Sequence, residues 1–557
     1  MSEKYLVIVE SPAKCSKIQY YLQQIAPESS ILVRACCGHF REIQSIDPTT
    51  FEIDFQMMRS KSKYIHTLKK IKRNTPSLEV IIATDNDREG EAIGWHLCKI
   101  FGLSEETTKR LRFNEISFPA LQNAWKEKDR INMNLVKAQS TRQIIDRWIG
   151  FTFSPLVSKH VGKKGLSAGR CQTPTLRLIM DNIEKRERSS DETVHHVKAN
   201  FGKSCWFQST RKFDTEKKTL EFLRKNIPFH HQVKQKTSKT TYHYPPRALT
   251  TSKLQQTCAS MWKWSPTYTM KRAQELYEKG WITYHRTESS QINGVFQKTA
   301  VAWIEKTFGK EYIRSSLSWA PNKTAHEAIR PTKIEFETED VLYTLIRKTT
   351  IQSLMEKATI EETRVELTSP SEDGWWKHFH WFTFYGFYKM NKELPKNDEI
   401  PSTFQLKELC AEEKQKDYVS FLNEAQIIQS LEAKGIGRPS TYASFVSKIQ
   451  DRQYVRKDDI VQKFSKECVS YQWKKGEDTI KRKTTLFEEK EAQKLVLEPL
   501  GEQVGVFLYR NYNDFFDYSY TKQVEEWLDD IASGNVDACH ILQHVQKKLS
   551  KSIDVRI

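Results

Sequence analysis

Two short runs constrain the fold more than anything else in the chain. Tyr5-Leu6-Val7-Ile8-Val9 and Val80-Ile81-Ile82-Ala83 are continuously apolar and rich in β-branched residues. Runs of this kind, without polar alternation, form strands covered on both faces, as in a parallel sheet sandwiched by helices. Both end on acids. The first gives way to Glu10-Ser11-Pro12, where Ser11 can cap a helix, Pro12 suits its first turn and Lys14 falls near the positive helix end. The second gives way to Thr84-Asp85-Asn86-Asp87-Arg88-Glu89-Gly90-Glu91 ahead of another helix. Ligands of open α/β sheets bind at the carboxyl ends of the strands, so Glu10 and the Asp85, Asp87, Glu89 cluster are expected to meet in one crevice. Clustered carboxylates repel unless a cation joins them, and this oxygen-rich set suits Mg²⁺.

A second feature lies far down the chain. Met270 to Glu278 has helical spacing, Gly280 is the residue type that closes a helix, and Trp281 to Thr287 then reads as extended. An extended backbone puts Tyr284 and Arg286 on one face, about 7 Å apart. A phenol is a weak nucleophile at neutral pH, and a neighbouring guanidinium can stabilise phenolate and grip a phosphate under attack.

At 557 residues the chain should divide into roughly three to five domains. Its 88 Lys and Arg against 70 Asp and Glu give a formal net charge of +18, the footprint of a protein that handles a polyanion. No apolar run is long enough to span a bilayer, and MSEKYLVIVE lacks the design of a signal peptide. A soluble, intracellular protein is expected, located wherever its polyanion is. Ten cysteines without any C-x-x-C pair fit a reducing compartment and offer no zinc site. Gly202-Lys203-Ser204 resembles the end of a phosphate loop, but the glycine required five residues earlier is Val197, so no ATP site is expected. Lys69-Lys70-Ile71-Lys72-Arg73 reads as one solvated helix face.

The wording of these segments resembles one family. E-S-P-A-K at 10–14 and ATDNDREGEAIGWH at 83–96 are similar to the two halves of the Toprim fold, the second in its topoisomerase version. ITYHRTESS around Tyr284 resembles the active-site signature of type IA DNA topoisomerases, with Glu288 where the family usually has aspartate. Further elements follow in family order: Gly38-His39-Phe40, AQSTRQIIDRWIGFTFSPLVSK from Ala138, Ser167 to Pro174, Ala325 to Thr332, and EAKGIGRPSTYA at 432–443, the last closer to bacterial topoisomerase I than to topoisomerase III. The resemblance implies a Toprim domain, Rossmann-like, in a toroidal multidomain α/β and mainly-α architecture with a β-rich arch. The expected division is Toprim 1–125, first part of a single-strand groove domain 126–189, arch 190–245, inserted tyrosine domain 246–364, arch again 365–424, and second groove part 425–557. The arch segments read as strands, and the aromatics from Trp375 to Tyr388, at strand period, read as the arch's own core. The inserted domain would swing on two linkers.

The same resemblance implies roles. Tyr284 would attack single-stranded DNA and form a 5′-phosphotyrosyl link. Arg286 and Lys14 would stabilise phosphoryl charge, Glu10 would act as general acid, and His326 would reach the scissile phosphate. Glu10, Asp85, Asp87 and Glu89 would hold Mg²⁺. DNA contacts are implied for His39, Arg142, Gln143, Arg147 and Lys159, for the loop Ser167, Ala168, Gly169, Arg170, Cys171 and Gln172, and for Arg330, Arg438, Ser440 and Thr441. His326 and Arg330 read as an i, i+4 pair, and the Ser167 loop as a helix entrance with free N–H groups. DNA is the expected partner, with no ATP and no membrane. Many bacterial relatives continue into C-terminal zinc ribbons, and no such cysteine pairs occur here, which bears on processivity. A Toprim nuclease or primase, a non-enzymatic DNA clamp and a topoisomerase III-like decatenase share parts of the pattern.

Overall fold

The computed structural model describes residues 3–189, 192–202, 205–317, 326–371 and 373–554. Of the residues singled out above, Lys203, Ser204, Ala325 and the boundary residue 190 lie outside the described residues.

The N-terminal unit is a four-stranded parallel sheet. It contains β1 (Lys4–Val9), α1 (Cys15–Ile25), β2 (Ser30–Ala35), the small hairpin β3 (Arg41–Ile46) and β4 (Ile53–Met57), α2 (Ser62–Asn74), β5 (Glu79–Ala83), α3 (Arg88–Phe101), β6 (Lys109–Arg110) and α4 (Phe118–Lys126). The sheet order is β2-β1-β5-β6. Strand β1 is covered on both faces as its composition predicts: Tyr5, Val7 and Val9 pack with Ile18 and Leu121, whereas Leu6 and Ile8 pack with Ile65, Leu68, Ile93 and Leu97. Val9 lies opposite Ala83 in the parallel register, so Glu10 and Thr84-Asp85 leave the sheet side by side. Helix α3 starts hard against that exit, because a Cβ on Gly90 would stand 2.0 Å from the Asp85 carbonyl oxygen. Ser11 makes no capping bond; a 3₁₀ turn at Pro12–Lys14 leads into α1 instead. The basic run lies on α2, with Lys69, Lys70 and Arg73 exposed.

A helical unit follows, with α5 (Met133–Val161) and α6 (Gln172–Glu187). Then come β7 (Thr193–Asn200), β8 (Trp206–Ser209), α7 (Glu216–Asn226) and β9 (Val233–His243). Next are the inserted helices α8 (Thr251–Trp262), α9 (Pro266–Glu278), α10 (Gly294–Phe308) and α11 (Val341–Leu354). The chain returns through β10 (Ala358–Leu367), β11 (Trp375–Phe384) and β12 (Glu408–Gln415) to α12 (Glu424–Ala433), α13 (Tyr442–Asp451), β13 (Val455–Lys474), β14 (Lys481–Leu497), α14 (Pro499–Phe516), α15 (Tyr518–Ser533) and α16 (Ala538–Asp554). Helices α5, α6 and α12 to α16 share one core, with Ile145, Phe153, Leu176, Ile428, Leu508 and Leu528 inside it.

The arch is an eight-stranded sheet in the order β14-β13-β12-β7-β8-β11-β10-β9. Three features differ from the sequence reading. Helix α7 interrupts the strand-rich segment. Strand β10 begins at Ala358, so a boundary at 364/365 falls inside a strand. The long hairpin β13–β14, expected within the groove segment 425–557, is a continuation of the arch sheet, since Glu408 to Glu412 pair with Lys474 to Ser470. Its length carries it from one unit to the other: twenty residues at about 3.4 Å each is a strut of about 68 Å. Trp375 and Phe379 are buried against Phe201, Phe207 and Phe222, so those aromatics do build the arch's core, while Trp381 is exposed. The inserted helices leave β9 and re-enter β10, two paired neighbours in the sheet, so both connections lie together.

Candidate active site

Helix α9 ends at Gly280, which has φ +65° and packs so tightly that a Cβ would meet the Ile116 carbonyl at 2.5 Å. That contact sets the next residues against the Toprim unit. Trp281 to Thr287 is not a regular strand; it makes an isolated bridge between Ile282 and Pro331, where the Thr283 amide donates to the Arg330 carbonyl and the Thr332 amide to the Trp281 carbonyl. The Tyr284 amide donates to the Asn114 carbonyl at 2.6 Å, and its hydroxyl donates to Asp87 Oδ2 at 2.5 Å. The two sequence features thus meet, although nearly two hundred residues separate them.

Charge governs what each group can do there. Burial and the Asp85 carboxylate raise Glu10 to about 7. Burial also raises Asp87, against the pull of Arg286. Burial, then Asp87 and Asp85, push the Tyr284 phenol well above its ordinary value, so the tyrosine is protonated. Arg286 does pull towards phenolate, as expected of a neighbouring guanidinium, but its attraction is outweighed. Only 4% of Tyr284 is exposed, so the nucleophile is buried at the junction of the two units.

Lys14 is 1% exposed, paired with Asp85, and its ammonium lies 4.7 Å from the Tyr277 ring centroid. It neutralises a carboxylate here and is not presented to a phosphate. Glu89 is also engaged. It accepts from His39 Nε2 at 2.8 Å and from Gln139 Nε2 at 3.0 Å, and Arg142 lies at 3.9 Å. Burial opposes its ionisation, yet the His39 bond and charge hold it down at about 2. His39 is raised in turn by Glu89 despite its own burial, so it is a partner of the acid cluster and not a free DNA ligand. The four acids do not form a chelate: among the described residues no group of three or more His, Cys, Asp or Glu has the arrangement of a metal cage.

A cavity of about 1320 Å³ opens beside this junction. Arg142, Arg286, His326, Arg438 and Ser440 line it with Glu288, together with Arg88, Asn86, Asn114 and Asp529, to which the sequence reading assigns no role. Burial lowers His326, making it a neutral imidazole at the wall. It lies in a bend and Arg330 follows an isolated bridge at Ile329, both outside any helix, so their helical pairing is corrected. Arg330, which also lines the cavity, is buried on Glu327 at 2.7 Å and on Glu115 of the Toprim unit at 2.8 Å, so its charge is matched by acids and it acts as a pin across the seam.

Other expected DNA residues are likewise occupied. Arg147 donates to the Ile43 and Gln44 carbonyls, at 2.9 and 3.3 Å, and does not share the Arg142 face. Arg170 is 1% exposed between Asp146 (2.9 Å) and Glu525 (2.8 Å), and Ala168 and Cys171 are buried. The N–H groups of Ser167, Ala168 and Gly169 donate to Tyr454, Ser154 and Thr173, so that loop is not an open phosphate nest. Gln172 folds back on Ser167, and Thr441 on Arg438. Gln143 is half-buried and Lys159 exposed, both away from the cavity lining.

The geometry has counterparts among known proteins. A family model described as DNA topoisomerase matches residues 130–486, and one described as Toprim domain matches residues 5–116. The chain is 32% identical to the DNA topoisomerase 1 of Aquifex aeolicus, over 98% of each chain. It is 31% identical to the mimivirus protein named DNA topoisomerase 1 type prokaryotic, over 99% of this chain and 71% of that one. The solved full-length topoisomerase I from Thermotoga maritima superposes with a TM-score of 0.79 at 27% identity, over 99% of this chain and 90% of that one. A tyrosine held on a Toprim acid cluster, an arch that carries it and matches along the whole chain have one common explanation: the chain belongs to the bacterial-type type IA DNA topoisomerases.

Proposed function

We propose that the enzyme relaxes negatively supercoiled DNA by cutting one strand with Tyr284, and the observation that carries this is the Tyr284–Asp87 hydrogen bond at the wall of a cavity to which Arg142, Arg286 and Arg438 also contribute. The phenol oxygen attacks phosphorus and its proton passes to Asp87, the nearest acceptor, whose raised carboxyl suits that task. The bond from phosphorus to the 3′ oxygen breaks. Glu10, raised to about 7, supplies a proton to that oxygen. Arg286 holds the non-bridging oxygens and His326 donates to the same phosphate. Religation reverses each transfer, so no ATP is consumed. Duplex must open before a strand can enter, and stacking of about 1.4 kcal/mol per step resists that except in underwound DNA.

The acid cluster fits Mg²⁺ through its charge. Glu10, Asp85 and Asp87 lie together near Lys14 and Arg286, and burial first, then their mutual repulsion, raises Glu10 and Asp87. Asp85 and Asp87 would hold the ion, which uses one or two carboxylates plus a phosphate, and Glu89 would stay with His39. Bound there, it would supply charge neutralisation around the phosphate during religation.

The test is denaturation of the protein on an oligonucleotide labelled at its 3′ end. Label should migrate with the protein, and a 5′ label should appear on a shortened free strand. Tyr284→Phe should abolish both while single-strand binding persists. Covalent label surviving in that variant, or the opposite end-label pattern, would overturn the assignment.

A further inference from the structure

Arg88, at the start of α3, and Arg438, in the loop before α13, come from different units and face each other across the cavity wall. Asp529 of α15 joins them. Its Oδ1 accepts from Arg88 Nη2, and its Oδ2 accepts from Arg438 Nη2 at 2.5 Å. Each carboxylate oxygen is therefore taken by a different guanidinium. The three side chains keep solvent contact, with exposures of 27%, 22% and 46% for Arg88, Arg438 and Asp529. Arg438 has further acids at the limit of ion pairing, Glu288 at 3.8 Å and Glu525 at 3.9 Å.

A DNA phosphodiester carries the same single negative charge on two terminal oxygens, and paired arginines are the groups that recognise it. We propose that Asp529 is an internal phosphate mimic: it fills a backbone-phosphate subsite made by Arg88 and Arg438, and an incoming strand must displace it. Asp529 touches no reacting atom and is a positioning residue. It keeps the two arginines aligned and the Toprim and groove units joined while DNA is absent. Solvent-exposed pairs are worth little individually, so displacement is cheap enough to be reversible. The proposal rests on the reading of the cavity as the single-strand site.

The experiment measures fluorescence anisotropy of a labelled single-stranded oligonucleotide, with every variant built on Tyr284→Phe so that cleavage does not intrude. Asp529→Asn should tighten binding about three- to tenfold at low salt, the scale of losing two exposed ion pairs. The logarithmic salt slope should steepen by about 0.7, because arginines no longer neutralised internally release counterions to DNA. Asp529→Ser should do the same, which guards against an effect peculiar to asparagine. Glu526→Gln, on the same helix but paired with Lys522 at 3.6 Å, removes equal charge and should leave both readouts near the parent. Arg88→Ala and Arg438→Ala should weaken binding. If the arginine changes have no effect, the cavity is not the strand site and the underlying reading fails. If they weaken binding while Asp529→Asn weakens it or leaves it unchanged, or if Glu526→Gln tightens it equally, the mimic is refuted.

Discussion

The inserted unit meets the rest of the ring along two seams of different character. Against the Toprim unit the contact is one continuous apolar core: Leu249, Leu254, Leu276, Tyr277 and Ile282 pack with Val7, Val9, Leu111 and Ile116, sealed at its edges by Tyr284–Asp87 and Arg330–Glu115. Against the groove unit, α8 faces α12 across a polar cavity of about 510 Å³ lined by Lys253, Gln256, Thr257, Ser260, Gln426 and Gln429. Ser252 donates to Glu432 beside it. Apolar burial contributes roughly 25 cal/mol per Å² and a wet polar contact far less, so the seam that must part to free the tyrosine is the more expensive one. The enzyme keeps its nucleophile shut until something bound in the cavity repays that cost. Binding energy from the strand is the available source.

The largest effect expected from this comparison comes from Arg330→Ala. It leaves Glu327 and Glu115 near each other, buried and without their shared cation, and losing one partner of a buried pair typically costs about 3–5 kcal/mol. Because the Tyr284 amide is bonded to Asn114 across this seam, its hydrogen exchange reports the opening directly. Exchange there should accelerate about a hundredfold or more. Unchanged protection would mean that the apolar core alone holds the seam and that Arg330 is not a pin.

A smaller effect is expected from Glu10→Gln, and its sign depends on pH. The native carboxyl is raised from 4.5 to about 7, so the folded state binds more protons than the unfolded one between those values. Stability therefore falls as pH rises through that window, the reverse of an ordinary paired carboxylate. The variant should melt like the parent at pH 4 and about 1–2 °C higher at pH 8. In cleavage it should lose the decline of rate that sets in above pH 7. A melting difference that is largest at pH 4 would contradict the assignment of Glu10 as a proton-holding group.

What was legible in the sequence follows from how far each signal reaches. The doubly buried strands and the acids at their ends are written in contiguous residues, and so is the Trp281 to Thr287 segment with its glycine stop. Burial state is not written that way. Lys14, Arg170 and Arg330 occur in family motifs and look like free cations, yet each is matched by an acid, and for all three at least one of those acids is remote in the chain: Asp85, Glu525 and Glu115. Arg88 sits among Asp85, Asp87 and Glu89, whose clustered charge is the stronger signal in that motif. Asp529 gave no signal at all, because an aspartate on the polar side of an amphipathic helix looks the same whether it faces water or two arginines. The β13–β14 strut is hidden for another reason: its lysine- and glutamate-rich strands carry unbroken exposed runs at Arg456–Asp459 and Lys481–Thr485, which have no period-2 burial to detect.

The smallest effect belongs to the polar seam and is the sharper test of the comparison. Ser252→Ala removes the only donor that α8 offers to Glu432 in the hydrogen bonds described, but Glu432 is exposed and can be hydrated. A net loss of about 0.5–1 kcal/mol is the ordinary scale for such a bond. It should not reach the tyrosine. Thr251, next to Ser252, is bonded to the His285 and Thr287 backbone, but those bonds are untouched by the change. The Tyr284 amide is tied to Asn114 and backed by the apolar core, so its exchange should stay within about twofold of the parent, while amides in the last turn of α12, around Glu432, exchange faster. If Ser252→Ala instead loosened Tyr284 as much as Arg330→Ala, the two seams would be opening as one unit, and the difference in their chemistry would not decide which one parts first.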